Sequence, residues 1–358
     1  MKHTLFTFLA ASLMSLAAQA QTEVAPFRPG VTVDGVCYFL PKMTFEIVVT
    51  ADKAVTLPGD FATYADRYLR QTDVPKTEST LWTLKDVKLL AYGVPDSTKA
   101  YSVKLRAKTS APLLSISPEG LLLGINADVT PEKAPELPAS TPAPTPVNGR
   151  SFMSRDILSA GSTSKMAQLT ADEIYDLRES RTALIRGEAD NTPKDGAQLK
   201  LMLDQLDAQA NGLETLFKGQ TLTSTEVTSF DYEPAPTLEA EGEKQLLCRF
   251  SRRLGLVDRD DLSGEPVWIS MRQTSNLPTQ LENAETAKKK GKIEQGVYYN
   301  VPARVQVTIY TAERTLWSGD VMMPQYGTVE ILSDALFNKK LDTQVIFDQN
   351  TGMYKSLK

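Results

Sequence analysis

The sequence predicts an α+β fold in which two β-rich, sandwich-like domains are joined by a proline-rich linker and an antiparallel helical hairpin. Apolar and polar residues alternate in the early and late parts of the chain, which is typical of half-buried strands. Between them lie a proline-rich stretch and two stretches of helical periodicity. We expect an export signal over 1–20, a β-rich domain over 21–130, the linker over 131–150, the hairpin over 151–220 and a second β-rich domain over 221–358.

The N-terminal segment has the three parts of a cleavable secretory signal peptide. Lys2 and His3 form a short polar start, residues 5–17 are mostly apolar, and residues 18–20 read Ala-Gln-Ala. Small residues at the first and third of these positions are what signal peptidase requires. We therefore expect cleavage after Ala20 and export of the remaining chain.

Cleavage at this point predicts a protein of the periplasm or one associated with the outer membrane. A lipoprotein would carry a cysteine directly after the cleavage site, whereas the first cysteine here is Cys37. No later stretch approaches the roughly 18 consecutive apolar residues of a membrane helix. We therefore expect neither a lipid anchor nor a transmembrane segment in the mature chain.

The first β-rich region is predicted from period-two alternation. Met43, Phe45, Ile47 and Val49 alternate with polar or smaller residues, which places them on one face of a strand. Further candidate strands flank turn-rich connectors, and a short helix carrying Phe61 interrupts them. The region therefore has the pattern of an antiparallel sheet with one buried face.

Residues 131–150 are predicted to be a linker, and residues 151–220 a helical hairpin. Six prolines among small and polar residues in 131–146 favour an extended, solvated backbone. Thr170 and Glu173 have capping-box spacing and predict a helix start, with Gly187 at the helix end. After a short connection, a second helix is predicted to bury one stripe, made of Leu199, Met202, Leu203, Leu206, Ala210, Leu213 and Phe217.

The second β-rich region is predicted from six apolar, strand-like segments. They are Thr225–Tyr232, Gln245–Phe250, Val267–Met271, Val297–Tyr310, Thr328–Leu332 and Gln344–Phe347. Residues 296–302 (GVYYNVP) also resemble residues 35–41 (GVCYFLP), which raises the hypothesis of an internal repeat. The alternation after the two prolines is one residue out of phase, which argues against the repeat unless a bulge intervenes.

Two cysteines leave two interpretations open. Cys37 and Cys248 each lie within a strand-like run. Export permits a disulfide between them. The alternative is two buried thiols that act as small apolar side chains, since no histidine is present to activate either one.

Histidine chemistry is excluded by composition. The only histidine is His3, which leaves with the signal peptide. Ser-His-Asp and Cys-His catalytic systems and His-ligated zinc sites are therefore not expected. Ser162 and Lys165 have S-x-x-K spacing, but the companion motifs of that acyltransferase site are missing, so we interpret them as part of a connector.

The candidate catalytic residues that remain are three aspartates in one acidic cluster. Asp258, Asp260 and Asp261 could supply the paired carboxylates of a glycosidase. A polar turn between two strands needs the same residue types, and we favour that interpretation. The spacing does not fit a calcium loop because Leu262 occupies a ligand position. No defined motif in the sequence therefore predicts a catalytic residue, a cofactor or a metal site.

The net charge of the chain and its distribution limit the kinds of molecule that we expect as partners. The net charge of −5 comes from a mixed surface without a basic, aromatic-rich stripe. Nucleic acid is therefore not expected as a partner.

One segment of the hairpin resembles a known family. Residues 174–190 and the following Pro193-Lys194-Asp195-Gly196, together with the start near Tyr38 and the end near Phe347, resemble an uncharacterised family of exported Gram-negative proteins. That family is a full-length domain of unknown function. The resemblance implies membership of one envelope family and assigns no catalytic residue.

We therefore expect an exported envelope protein with a non-enzymatic binding or scaffolding role and a protein partner in the envelope. The hairpin beside a flexible linker is the feature that motivates this expectation. The alternative is a carboxylate-dependent hydrolase that acts on glycan or cell wall through the aspartate cluster.

Overall fold

The structure is a computed structural model. It describes residues 23–28, 35–104, 114–190, 193–238, 242–275, 296–333 and 343–358. The predicted signal peptide lies outside the described residues. Among the described residues the helices are α1 (Ala65–Leu69), α2 (Arg155–Leu158), α3 (Thr163–Arg186) and α4 (Gly196–Lys218), with 3-10 turns at Ala62–Tyr64 and Gly149–Phe152. The strands are β1 (Glu23–Pro26), β2 (Val36–Leu57), β3 (Ser79–Lys104), β4 (Leu114–Ile116), β5 (Leu122–Ile125), β6 (Gln220–Tyr232), β7 (Lys244–Ser251), β8 (Gly255–Val257), β9 (Glu265–Gln273), β10 (Gly296–Tyr310), β11 (Thr315–Ser333), β12 (Val345–Phe347) and β13 (Tyr354–Leu357).

The strands of the described residues form three antiparallel sheets. The first has the order β1-β3-β2-β6, the second β11-β10-β9-β7-β8, and the third β13-β12-β5-β4. All six strand segments predicted for the C-terminal region are strands, although β11 begins well before its predicted start. The prediction of a β-rich α+β fold is therefore confirmed.

The largest core lies between the first and second sheets. Phe45, Ile47 and Val49 on β2 are buried, as their alternation predicts, and they belong to one cluster with Val305 and Val307 on β10. Residues from both predicted β-rich domains thus fill one core, because each sheet buries its apolar face only by covering the other. The count of two separate β domains is therefore not confirmed, and the boundaries remain predictions.

A second core joins the start of β2 to the start of β10. Tyr38 and Leu40 pack in one cluster with Val297 and Tyr299 and with residues of the third sheet such as Phe347. The third sheet itself combines β5 with β12 from the end of the chain. Strands β2 and β5 are therefore packed with β12, which lies far from them in sequence.

The proline-rich segment runs along the edge of the first sheet. Its side chains are exposed over 131–148, yet Thr141 exchanges two backbone hydrogen bonds with Thr225 on β6, at 2.8 and 3.0 Å. The Gln220 side chain also pairs with both backbone groups of Val147, at 2.9 and 3.0 Å. Because β6 is an edge strand, this segment satisfies part of its free hydrogen-bonding edge.

The hairpin is present, but its first helix starts earlier than predicted. The predicted capping box is wrong: Thr170 lies inside α3, fully buried, and donates to the Met166 carbonyl at 2.8 Å. The N-cap is Ser162, whose hydroxyl accepts from the Lys165 N–H at 3.2 Å. The S-x-x-K spacing is thus the start of a helix rather than a connector. Gly187 ends α3 with a φ of 72°, as predicted.

Candidate docking groove on the helical hairpin

The base of the hairpin is packed against the body of the protein. Ala167, Ala171 and Ile174 on α3 share a core with Leu213 and Phe217 on α4. The cluster also includes apolar residues of α1 and α2. Gly212 lets the Phe152 ring approach the α4 backbone, at a distance that a Cβ atom would not allow. This half of the hairpin is therefore anchored.

The other half of the hairpin projects from the body. Helix α3 is about 36 Å long at 1.5 Å per residue, yet its core residues end near Ile174 apart from Leu184. On α4, the N-terminal part of the predicted stripe is not buried: Met202 is 41% exposed, and its neighbour Leu201 is 61% exposed. Ile185 on α3 is 56% exposed. The apolar surface that a helix normally buries is therefore open here.

A groove of about 720 Å³ lies on this projecting half. Its apolar lining comes from both helices and includes Leu184 on α3 and Met202 and Leu206 on α4. Glu188 and Asp190, in the connection between the helices, line the same groove. Its lining contains no lysine or arginine, so the groove combines an apolar floor with a negative rim.

Ion pairs between the helices hold the walls of the hairpin together. Arg178 on α3 donates to Glu214 at 2.6 Å, and Lys218 donates to the same carboxylate at 2.5 Å. Burial opposes ionisation of Glu214, but the hydrogen bonds from Lys218 and Arg178 outweigh it and leave the pKa of this carboxyl below its ordinary value. Arg181 and Asp207, 2.6 Å apart, form a second pair nearer the tip. The relative position of α3 and α4 is therefore fixed by charge as well as by packing.

The three candidate aspartates lie in the turn between β8 and β9. Asp258 and Asp260 are exposed, and Asp261 is partly exposed. Asp261 accepts from the Ser263 N–H at 2.9 Å, and hydrogen bonding to the side chain and then the backbone of Ser263 lowers the pKa of its carboxyl. A general acid needs the opposite shift, towards a raised pKa. The geometry is that of a polar turn, and the hydrolase hypothesis gains no support from these residues.

The two cysteines are free in the structure. Cys37 is exposed on β2 and pairs in register with Ser102, whereas Cys248 is buried on β7 and pairs with Val267. Burial raises the pKa of the Cys248 thiol to about 12. The two thiols are not bonded to each other in the structure, and burial as a small apolar side chain fits Cys248 but not Cys37.

The described part of the chain contains neither a cluster of metal ligands nor a membrane-spanning helix. Within these residues, no three histidine, cysteine or acidic side chains come together in a way that could hold a metal ion. No helix among them is long and apolar enough to span a bilayer.

The groove was not recognised in the sequence as a site. The sequence predicts a buried stripe that includes Met202 and Leu206, and it predicts no role for Leu201 or Ile185. One signal was available: Leu201 is a large apolar residue on the otherwise polar side of an amphipathic helix. Such residues are exposed unless a partner covers them.

Comparison with known proteins assigns the family. A family model described as a domain of unknown function, DUF4831, matches residues 34–355. The chain belongs to this family. The match spans nearly the whole chain, in agreement with the resemblance found in the hairpin and near both ends. Neither the curated proteins nor the solved structures contain a match. Membership in DUF4831 therefore assigns no activity to the chain.

Proposed function

We propose that this protein is an exported, non-enzymatic binding or scaffold protein of the cell envelope, which docks a partner protein in the groove at the projecting half of its hairpin. The observation that carries the proposal is the exposed apolar floor, formed where Met202 and Leu201 lie beyond the anchored base. Exposed apolar surface of this kind marks interaction sites in soluble proteins.

The chemistry of the groove defines the partner. An apolar floor accepts the apolar side of an amphipathic segment, as in helix-in-groove recognition. The Glu188 and Asp190 carboxylates at the rim favour basic residues flanking that side. The expected partner segment is therefore an amphipathic helix with lysine or arginine next to its apolar face.

The experiment compares capture of envelope proteins by three forms of the mature chain. The wild type, a groove variant (Leu201→Ser with Met202→Ser) and a control variant (Leu254→Ser) are immobilised and exposed to envelope extract. Leu254 is 60% exposed in the β7–β8 turn and does not line the groove, so its replacement removes similar apolar surface outside the proposed site. We expect one protein to be recovered by the wild type and by the control but lost with the groove variant.

A charge variant then tests the partner's chemistry. Asp190→Lys should weaken capture of that same protein, and Glu179→Lys, an exposed position on α3 outside the groove lining, should leave it unchanged. A synthetic peptide from the captured protein should bind only if it carries the expected basic, amphipathic pattern. Equal recovery by all variants would exclude the groove as the docking site.

A further inference from the structure

Two irregularities of the sheets have the same geometry. In the β2–β3 ladder, Phe39 pairs with Ala100 and Pro41 with Pro95, so four residues of β3, 96–99, lie opposite one residue of β2. In the β10–β11 ladder, Val301 pairs with Thr328 and Ala303 with Met323, so residues 324–327 lie opposite Pro302 alone. The first bulge lies opposite Leu40, directly before Pro41, and the second lies opposite Pro302, so both adjoin the proline of the candidate repeat. They do not restore its phase, so the duplication itself remains a prediction.

The two bulges meet at one cleft. Residues 96–99 and 325–327 line a cavity of about 630 Å³, together with residues 233, 234 and 236–238 that follow β6. A regular strand turns alternate side chains to opposite faces, whereas a bulge redirects them. Residues from Asp96 to Lys99 therefore all reach the same cleft, and a volume of this size is in the range of small-molecule sites.

Several walls of the cleft are held in fixed orientations. The Gln325 side chain pairs with both backbone groups of Met43, each at 3.0 Å. The Tyr326 hydroxyl donates to the Ala235 carbonyl at 2.8 Å, which fixes the ring beside the cavity. Such contacts keep the wall in place before any ligand arrives, which lowers the entropic cost of binding.

One cation in the cleft is not neutralised by an ion pair. Lys42 pairs with Glu233, whereas Lys99 makes no ion pair with any described residue. The nearby Asp96 carboxylate accepts from Thr98 instead, through the N–H at 2.9 Å and the hydroxyl at 2.6 Å. Burial lowers the pKa of Lys99, and the charge of Asp96 opposes this shift only in part. A carboxylate brought by a ligand would therefore gain a partly desolvated cation as its partner.

We propose that this cleft binds an acidic saccharide, with its carboxylate at Lys99 and the apolar face of its ring against Tyr326. The hydroxyls of Ser97 and Thr237 and the Gln273 amide supply the donors and acceptors that sugar hydroxyls require. Lys99 is the cation of the described lining that stands outside an ion pair, so it favours a ligand with one carboxylate per bound unit. This proposal is independent of the hairpin groove.

The experiment is a calorimetric titration of the mature chain with matched pairs of sugars. The pairs are glucuronic acid with glucose, galacturonic acid with galactose, and N-acetylmuramic acid with N-acetylglucosamine. At least one acid should bind about tenfold or more tightly than its neutral partner, as expected for one charge-assisted contact. Lys99→Met should remove that preference, and Lys85→Met, an exposed position on the same strand, should retain it.

A second measurement does not depend on a variant. Acetylation of lysine amines by an amine-reactive ester is followed by mass spectrometry with and without the preferred acid. Lys99 should be protected, and Lys85 should not. The proposal is overturned if no acid binds, if acid and neutral sugar bind equally, or if binding leaves Lys99 unprotected.

Discussion

Tyr38 and Tyr298 are joined through one hydroxyl group. Tyr38 Oη accepts from the Tyr298 backbone N–H at 3.0 Å and donates to the Tyr298 carbonyl at 3.2 Å. Tyr38 is fully buried, and burial raises the pKa of its hydroxyl, so this group stays protonated and able to donate. The contact links strands β2 and β10, which are 260 residues apart.

Removing this hydroxyl should destabilise the whole β assembly. Tyr38→Phe leaves the Tyr298 N–H and carbonyl without their partner, which costs about 1–3 kcal/mol. Urea unfolding would measure the loss. Tyr64→Phe is the matched control, because its ring contacts Tyr68 while its hydroxyl forms no hydrogen bond with any residue that the structure describes. A loss of equal size in the control would show that the Tyr38 hydroxyl contact between β2 and β10 contributes no stability of its own.

The two halves of α4 should respond differently to the same substitution. Leu213→Ala, in the anchored base, should cost about 2–5 kcal/mol because it leaves a cavity. Leu201→Ala, in the projecting half, should change stability by no more than about 0.5 kcal/mol. Thermal and urea unfolding of both variants would check this. A large loss for Leu201→Ala would mean that this half of the hairpin is covered within the protein itself.

The ion pairs at Glu214 predict a pH dependence of stability. The pKa of this carboxyl is lowered in the folded protein, so between the folded and unfolded pKa values the unfolded state binds more protons. Glu214 therefore contributes to folding stability above the pKa of its carboxyl in the unfolded chain, which is about 4.3. This contribution is lost as the pH falls through the pKa of the same carboxyl in the folded protein.

Glu214→Gln should remove this part of the pH dependence. It should also lower the free energy of unfolding at neutral pH by about 1–2 kcal/mol. The loss is no larger because Arg178 and Lys218 are partly exposed and solvent screens their charges. Unfolding midpoints measured from acidic to neutral pH would test it. Glu179→Gln, on the exposed side of α3, should leave the profile unchanged. Parallel profiles for wild type and Glu214→Gln would contradict the prediction.

The two thiols should differ in reactivity. N-ethylmaleimide should label Cys37 in the native chain, whereas Cys248 should react only after unfolding, because it is buried and burial raises its pKa. Intact mass spectrometry would count one label in the native protein and two in denaturant. No label in denaturant without a reductant would instead establish a disulfide.

Local patterns predicted the elements of this fold well. The alternation at Phe45, Ile47 and Val49 identified both the strand and its buried face, and Gly187 marked the end of α3. Thr170 was misassigned because a buried threonine that donates to the preceding turn has the same spacing to Glu173 as a capping residue. Spacing along the chain does not distinguish these two environments.

The sequence by itself determined the family, the β-rich α+β class, the hairpin and the lack of any histidine beyond His3. These properties follow from composition and from short-range periodicity, both of which can be recognised within local stretches of the sequence. Only the tertiary structure decided that the two β-rich regions share one core and that the hairpin projects. It also decided that Lys99 and Tyr326 line one cleft. The physical reason is that strand pairing and sheet packing join residues hundreds of positions apart, so which apolar faces remain uncovered depends on the whole assembled chain.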